Sequence, residues 1–257
     1  MPPKFSQLFV VALRRWWNEQ ASQKGVLNAS ALLARELWGF LRDSTPERRR
    51  QRYGDMDYDW EHRVNTTSGT LGWRGRLLGV FLSPYQPTDP ALFREMMAAL
   101  PIQFDQFTFV DLGSGKGRVL LLASEYPFQK IVGVEILPKL HRVAEENLRV
   151  YREATGHGGQ IGAILMDACD YVFPETPLVV YLFNPLPETG LRKVMGRLEE
   201  SLAKVPRPVW IVYHNPLLDP VVSGSERLER VGGTGQYSLY RAREAKTLPL
   251  RPEPGDH

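Results

Sequence analysis

Phe107-Thr-Phe-Val-Asp-Leu-Gly-Ser-Gly-Lys-Gly-Arg118 runs on into Val119-Leu-Leu-Leu-Ala-Ser124 and then Lys130-Ile-Val-Gly-Val-Glu135. An apolar run ends at Asp111, a turn carries Gly113, Ser114, Gly115 and Gly117, a helical run follows, and a second apolar run ends at Glu135. This pattern predicts a strand, a tight turn, a helix and a parallel strand, the βαβ unit of a doubly wound sheet. Glycines without Cβ let the backbone turn sharply and approach a ligand closely, and such a turn delivers the ligand near the start of the following helix. A carboxylate at Glu135, at the end of the second strand, is placed to accept hydrogen bonds from a ribose diol. The turn is G-x-G-x-G, because Arg118 stands where the dinucleotide fingerprint has its third glycine, and no phosphate-binding G-x-x-x-x-G-K-[ST] loop is formed.

Val110-Asp-Leu-Gly-Ser-Gly-Lys-Gly-Arg118 with Gly133-Val-Glu135 resembles class I S-adenosylmethionine-dependent methyltransferases, over about Tyr85 to Arg241. The resemblance implies S-adenosylmethionine as cofactor. It places Asp111, Gly113, Ser114 and Gly115 at the methionine part, Glu135 at the ribose, and Asp167 with Ala168 at the adenine. Tyr85-Gln-Pro-Thr88, just before a helix, resembles the segment that closes over the cofactor in the non-SET, histone-lysine-type branch; Tyr85 and Thr88 would then touch the methionine end. A proline turn with a packed tyrosine is the other reading of that segment.

The chain has 257 residues, a hydrophobic fraction of 43% and a formal net charge of +3. That length suits one domain with an extension, and so small a charge gives no argument for a nucleic-acid partner. The single cysteine, Cys169, excludes an intramolecular disulfide and any multi-cysteine metal site, and the five histidines have no ligand spacing. No apolar run approaches the ~20 residues of a membrane span, and Leu8–Leu13, cut by Arg14-Arg15, is a poor signal peptide. The expected compartment is the cytoplasm.

Residues 1–84 read as a helical extension and linker, 85–245 as the cofactor-binding domain and 246–257 as a polar, Pro-rich disordered tail. Residues 4–18 are amphipathic and a second helix is expected over Ala29–Leu41; these helices pack on the protein or offer a partner or membrane-surface face. Ser44-Thr-Pro-Glu47 is a helix-start signal, and Glu47-Arg-Arg-Arg-Gln-Arg52 reads as a solvated charged face or a site for an acidic partner. Tyr53 to Pro87 shows little periodicity, and so long a loop in a compact protein tends to be functional or to hold hidden structure.

Asp89 with Pro90 starts a helix with Leu92, Met96, Met97 and Leu100 on one face. The core is then expected as strands at Thr108–Leu112, Ile131–Ile136, Ile161–Met166, Leu178–Phe183 and Pro208–Tyr213. Helices are expected at Arg118–Tyr126, Lys139–Tyr151 and Leu191–Ala203, and a hairpin of Glu226–Val231 with Tyr237–Arg241 closes the chain. The resulting fold class is α/β: a doubly wound, seven-stranded, mostly parallel sheet with a terminal antiparallel hairpin and an N-terminal helical extension.

Ligands of such sheets bind beyond the carboxyl ends of the strands, which collects Asp111, Glu135, Asp167, Asn184-Pro185 and His214-Asn215. Asn184-Pro185-Leu-Pro187 resembles the Asn-Pro-Pro-aromatic motif of amino methyltransferases, with Pro187 in place of the aromatic residue. The Asn184 side-chain carbonyl, and a main-chain carbonyl freed at Pro185, would accept N–H bonds from an amine; a strand-ending turn is the structural alternative. His214 is read as a general base or as a hydrogen-bonded structural residue. The leading function is N-methylation of a protein lysine. A small-molecule amine or hydroxyl acceptor, a nicotinamide-dependent oxidoreductase and a cofactor-binding regulatory module without turnover are the rivals. The oligomeric state is left open.

Overall fold

The computed structural model describes residues 5–43, 56–66, 87–155, 160–184 and 186–243. The central run folds as its pattern dictates. β1 (Thr108–Leu112) is buried at every position, as a strand covered on both faces must be. Gly113, Gly115 and Gly117 all adopt positive φ, at 89°, 56° and 84°, the left-handed region that glycine enters without a Cβ clash. β2 (Lys130–Glu135) pairs parallel to β1 with Asp111 opposite Gly133.

β3 (Ile161–Leu165), β4 (Leu178–Phe183) and β5 (Val209–His214) complete the parallel part. β6 (Leu228–Gly233) and β7 (Tyr237–Ala242) form the terminal hairpin, and β7 inserts antiparallel beside β5. The sheet order is β3-β2-β1-β4-β5-β7-β6. The order reverses between β1 and β4, and at that switch point the carboxyl ends open a crevice.

In chain order the helices are α1 (Phe5–Lys24), α2 (Val26–Asp43), α3 (Met56–His62), α4 (Pro90–Ala98), α5 (Arg118–Ala123), α6 (Pro138–Thr155), α7 (Glu188–Lys204) and α8 (Asp219–Ser223). Helices α4, α5 and α6 pack on one face through Phe93, Met97, Leu121 and Leu148 against Phe109, Val179 and Val212. On the other face, α7 and α8 bury Leu191, Val194, Leu198 and Val222 against Val110, Val180 and Ile211. Asp89 caps α4 by accepting the Leu92 N–H at 2.9 Å, and Pro90 occupies its first turn. Phe93, absent from the expected apolar face, is the fully buried residue of that helix's first turns.

Most expected ends shift by a few residues, and three differences have a plain local cause or consequence. α5 stops at Ala123 and not at Tyr126, because the N–H groups of Glu125 and Tyr126 bond three residues back, to Leu122 and Ala123, in a tightened last turn. α1 and α2 are longer than their apolar spacing predicts and are separated by Gly25 at φ 79°. α3 lies inside the stretch read as aperiodic; seven residues are too few for helical periodicity to show. The Ser44–Glu47 start signal, the Arg-rich run and the tail from residue 246 lie outside the described residues.

The N-terminal hairpin is tied to the sheet through Glu19 of α1, which is 9% exposed. Its carboxylate faces the backbone of Glu188 and Thr189 at the start of α7, which favours its charged form. Pro187 supplies no side-chain cap there, so a carboxylate from another helix meets the exposed N–H groups and the positive end of the dipole. Burial first, and then the charge of Glu188, raise the Glu19 carboxyl from its ordinary value.

Candidate active site

The glycine turn is anchored from below. The Gly113 and Ser114 N–H groups donate to the Val134 carbonyl at 2.8 and 3.0 Å. The Gly115 N–H donates to Glu135 Oε2 at 2.8 Å, while Glu135 Oε1 accepts the Leu137 N–H at 2.7 Å. Glu135 therefore braces the turn with one oxygen and the following loop with the other, each oxygen retaining a further lone pair. Burial lifts its carboxyl to about 7, against the lowering effect of the Leu137, Gly115 and Ile136 backbone bonds. Asp111 is 3% exposed; burial, then the charge of Glu135, raise its carboxyl well above the usual range.

One buried polar group at this turn lacks a partner among the described residues. It is the Ser114 hydroxyl, which lies in the turn that follows the buried Asp111 carboxylate. Buried polar groups are normally paired. A ligand with a cation for Asp111, a polar group for Ser114 and hydroxyls for Glu135 fits what is on offer, as S-adenosylmethionine does. Gly133 keeps room for this arrangement: a Cβ there would stand 2.6 Å from Leu120 and 2.7 Å from Ser114 Oγ.

Asp167 follows β3 and caps a short 3-10 turn, accepting the Cys169 N–H on Oδ1 at 2.8 Å. Ala168 is buried in that turn. One carboxylate oxygen of Asp167 is thus structural.

Thr88 is 2% exposed and meets Tyr181 Oη at 2.9 Å, and Tyr181 Oη meets His214 Nδ1 at 2.8 Å. This chain links the segment before α4 to the ends of β4 and β5. Phe183 stacks on His214 with ring centroids 3.8 Å apart. Burial holds His214 down to about 4, with Asp89 pulling the other way, so the imidazole is neutral at neutral pH. The sequence reading of Thr88 missed its bond to Tyr181; a phenol in an otherwise apolar central strand was the available signal.

Asn184 departs from its expected role. Its side-chain carbonyl, expected to face an incoming amine, accepts the Tyr213 hydroxyl at 3.0 Å, and its Nδ2 donates to the Asn215 carbonyl at 2.5 Å. Asn184 and Asn215 both stand at positive φ, 43° and 48°, a conformation asparagine tolerates better than most residues. The two strand ends are laced together, and one lone pair of Oδ1 is committed. Pro185 and Tyr85 lie outside the described residues.

A further group meets the turn from the N-terminal side. Arg118, 2% exposed, donates from Nη2 to Asp59 Oδ1 at 3.1 Å and from Nε to Thr66 Oγ1 at 2.6 Å, with its guanidinium 4.9 Å from the centre of the Tyr58 ring. Asp59 also accepts the Thr66 N–H at 2.7 Å and the Thr66 hydroxyl. Lys116 Nζ donates to Asn65 Oδ1 at 3.0 Å; burial lowers its ammonium to about 8. Asn147 of α6 accepts the Asn65 N–H at 2.8 Å and donates to the Asn65 and Lys116 carbonyls at 3.0 and 2.9 Å. The sequence reading passed over all of these. Asn147, polar on the inward face between Ala144 and Leu148, was the one visible signal.

Residues 83–176 match the family model of histone methylation protein DOT1. That span holds the Asp111–Gly117 turn, Glu135 and Asp167, on a sheet of the order described above. The chain is a class I S-adenosylmethionine-dependent methyltransferase. The methyltransferase is similar in structure to an RNA methyltransferase from Salinibacter ruber in complex with S-adenosyl-L-homocysteine, at 22% identity over 64% of this chain and 97% of that one, with a TM-score of 0.45. A ribosomal protein L11 methylase from Lactobacillus delbrueckii subsp. bulgaricus gives 15% identity, 61% and 77% coverage and a TM-score of 0.42. A precorrin-6y C5,15-methyltransferase from Geobacter metallireducens GS-15 gives 14%, 60% and 87%, and 0.44. None of these likenesses bears on the acceptor. No curated protein matches the methyltransferase. Among its described residues no helix is long and apolar enough to cross a membrane, and no cluster of three or more His, Cys, Asp or Glu residues is placed to hold a metal.

Proposed function

We propose that the methyltransferase N-methylates a lysine side chain of a protein. The observation that carries this reading is the match of residues 83–176 to a family described by histone methylation. The cofactor, when bound, supplies an electrophilic methyl group for in-line displacement. The protein's task is then to position both partners and to receive an uncharged amine.

In this reading Asp111 and Ser114 hold the methionine end, Gly113 and Gly115 let the backbone approach it, Glu135 takes the ribose hydroxyls, and Asp167 with Ala168 borders the adenine. Tyr85, Thr88 and Pro185 complete the methyl-transfer end. Asn184 acts chiefly by holding the β4 and β5 ends together, with its second lone pair turned to the acceptor. His214 accepts an N–H from the amine. That role requires the tautomer in which Nδ1–H donates to Tyr181 and Tyr181 donates to Thr88, leaving the Nε2 lone pair available. A neutral imidazole also spares a lysine side chain the repulsion of a second cation.

The test is incubation of the purified chain with S-adenosylmethionine carrying a labelled methyl group, in parallel with basic proteins including core histones, bulk RNA and a panel of small amines. Label recovered as methyl-lysine after acid hydrolysis of the protein fraction supports the proposal. Label confined to RNA or to a small molecule overturns the lysine reading and leaves the cofactor reading intact.

A further inference from the structure

We infer that Asp59 and Asn65 are positioning residues for the cofactor, and that residues 56–66 belong to the cofactor-binding unit, although they lie outside the segment that matches the family. This rests on the glycine turn being the cofactor site.

The geometry is specific. Gly115, Lys116, Gly117 and Arg118 form the stretch that must hold its shape around the ligand, and it is fastened from several sides. Gly115 is held by Glu135 from the β2 side. The Lys116 carbonyl is held by Asn147 and its ammonium by Asn65; the Arg118 guanidinium is held by Asp59 and Thr66. Asn147 grips Asn65 by both the N–H and the carbonyl, so the backbone of residue 65 and that of residue 116 are clamped to one amide. Neither cation is accommodated by the βαβ unit alone. Both stand at 2% exposure in an interior built by α3 and the residues after it. A buried cation requires a paired and hydrogen-bonded partner, so docking of 56–66 and the shape of the turn are one equilibrium. A ligand that binds the shaped turn must then favour the docked segment by the same factor.

The test uses the full chain and S-adenosyl-L-homocysteine, so the acceptor plays no part in it. In the wild type, saturating product slows amide hydrogen exchange across residues 56–66. Asp59→Asn and Asn65→Ala, each shown to stay folded by far-UV circular dichroism and a cooperative melt, weaken the product's Kd by roughly ten-fold or more, within the range usual for coupled sites. Asp59→Glu, which restores the charge, recovers part of the loss. A surface change on the same segment, Glu61→Gln, leaves Kd unchanged. The inference is overturned if the folded variants bind product as the wild type does, or if product leaves exchange in 56–66 untouched. Failure of the wild type itself to bind product would instead strike the cofactor reading.

Discussion

Arg118 Nη2 and Asp59 Oδ1 lie 3.1 Å apart, with side-chain exposures of 2% and 12%, across 59 residues of chain. Removing one member of a buried pair costs about 3–5 kcal/mol. The two members are not equivalent. Asp59→Asn leaves a neutral amide facing Arg118 and Thr66, whereas Arg118→Leu strands a carboxylate that can still reach water at its more exposed edge. Denaturant unfolding should show Asp59→Asn as the more damaging change, because the guanidinium cannot shed its charge. Equal midpoints for the two variants would contradict that order.

Glu135 and His214 should tilt stability with pH in opposite directions. The Glu135 carboxyl is raised from 4.5 to about 7 in the fold, so between those values the folded state holds more protons than the unfolded one, and this group's contribution falls as pH rises. The His214 imidazole is lowered from 6.5 to about 4; there the unfolded state holds more protons, and its contribution rises with pH until about 6.5. Asp111, raised like Glu135, adds to the first slope. In melts from pH 4.5 to 7, Glu135→Gln should gain stability with pH relative to wild type and His214→Asn should lose it. Ribose hydroxyls favour the charged carboxylate, so product binding to the wild type should also weaken below about pH 7, and Glu135→Gln should lose that dependence.

Asn184→Gly and Asn184→Ala separate lacing from strain. Both remove the bonds to Tyr213 and Asn215, at roughly 0.5–1.5 kcal/mol each. Alanine adds the penalty of positive φ, about 1–2 kcal/mol, which glycine escapes. Turnover should fall about ten-fold or more in both, with the product Kd near wild type, while the urea midpoint falls further for alanine. Wild-type turnover in the glycine variant would make the β4 turn purely structural.

Gly133→Ala should cost about 1–3 kcal/mol, the usual effect of overpacking, since its Cβ would press on Leu120 and Ser114. Ser114 is pressed at its Cβ as well as its hydroxyl, so its displacement should appear as weaker cofactor binding in calorimetry as well as a lower melting temperature.

The sheet was readable because each strand is a short apolar run bounded by turn residues, and because Gly113, Gly115 and Gly117 sit where the backbone needs positive φ. The acids at the strand ends followed from the same reading. What escaped has a common physical cause. The Thr88–Tyr181–His214 chain, the Asp59–Arg118 pair and the Asn147 clamp join residues far apart in sequence, and no periodicity encodes a long-range hydrogen bond. Nothing local in the sequence marks Lys116 and Arg118 as interior; only the packing of residues 56–66 against them shows it. Asn184 looked like an open acceptor because its partner, the Tyr213 hydroxyl, belongs to the neighbouring strand.

The cap on α7 has a consequence for assembly. Glu19 stands before every strand of the sheet, yet it completes a helix that begins after β4. Pro187 gives that helix start no side-chain cap, so the β4–α7 turn gains stabilisation when α1 arrives. Opening of the N-terminal hairpin and loosening of the turn that carries Asn184 are therefore one cooperative event in hydrogen exchange, and what reads in sequence as an appendage behaves as a keystone.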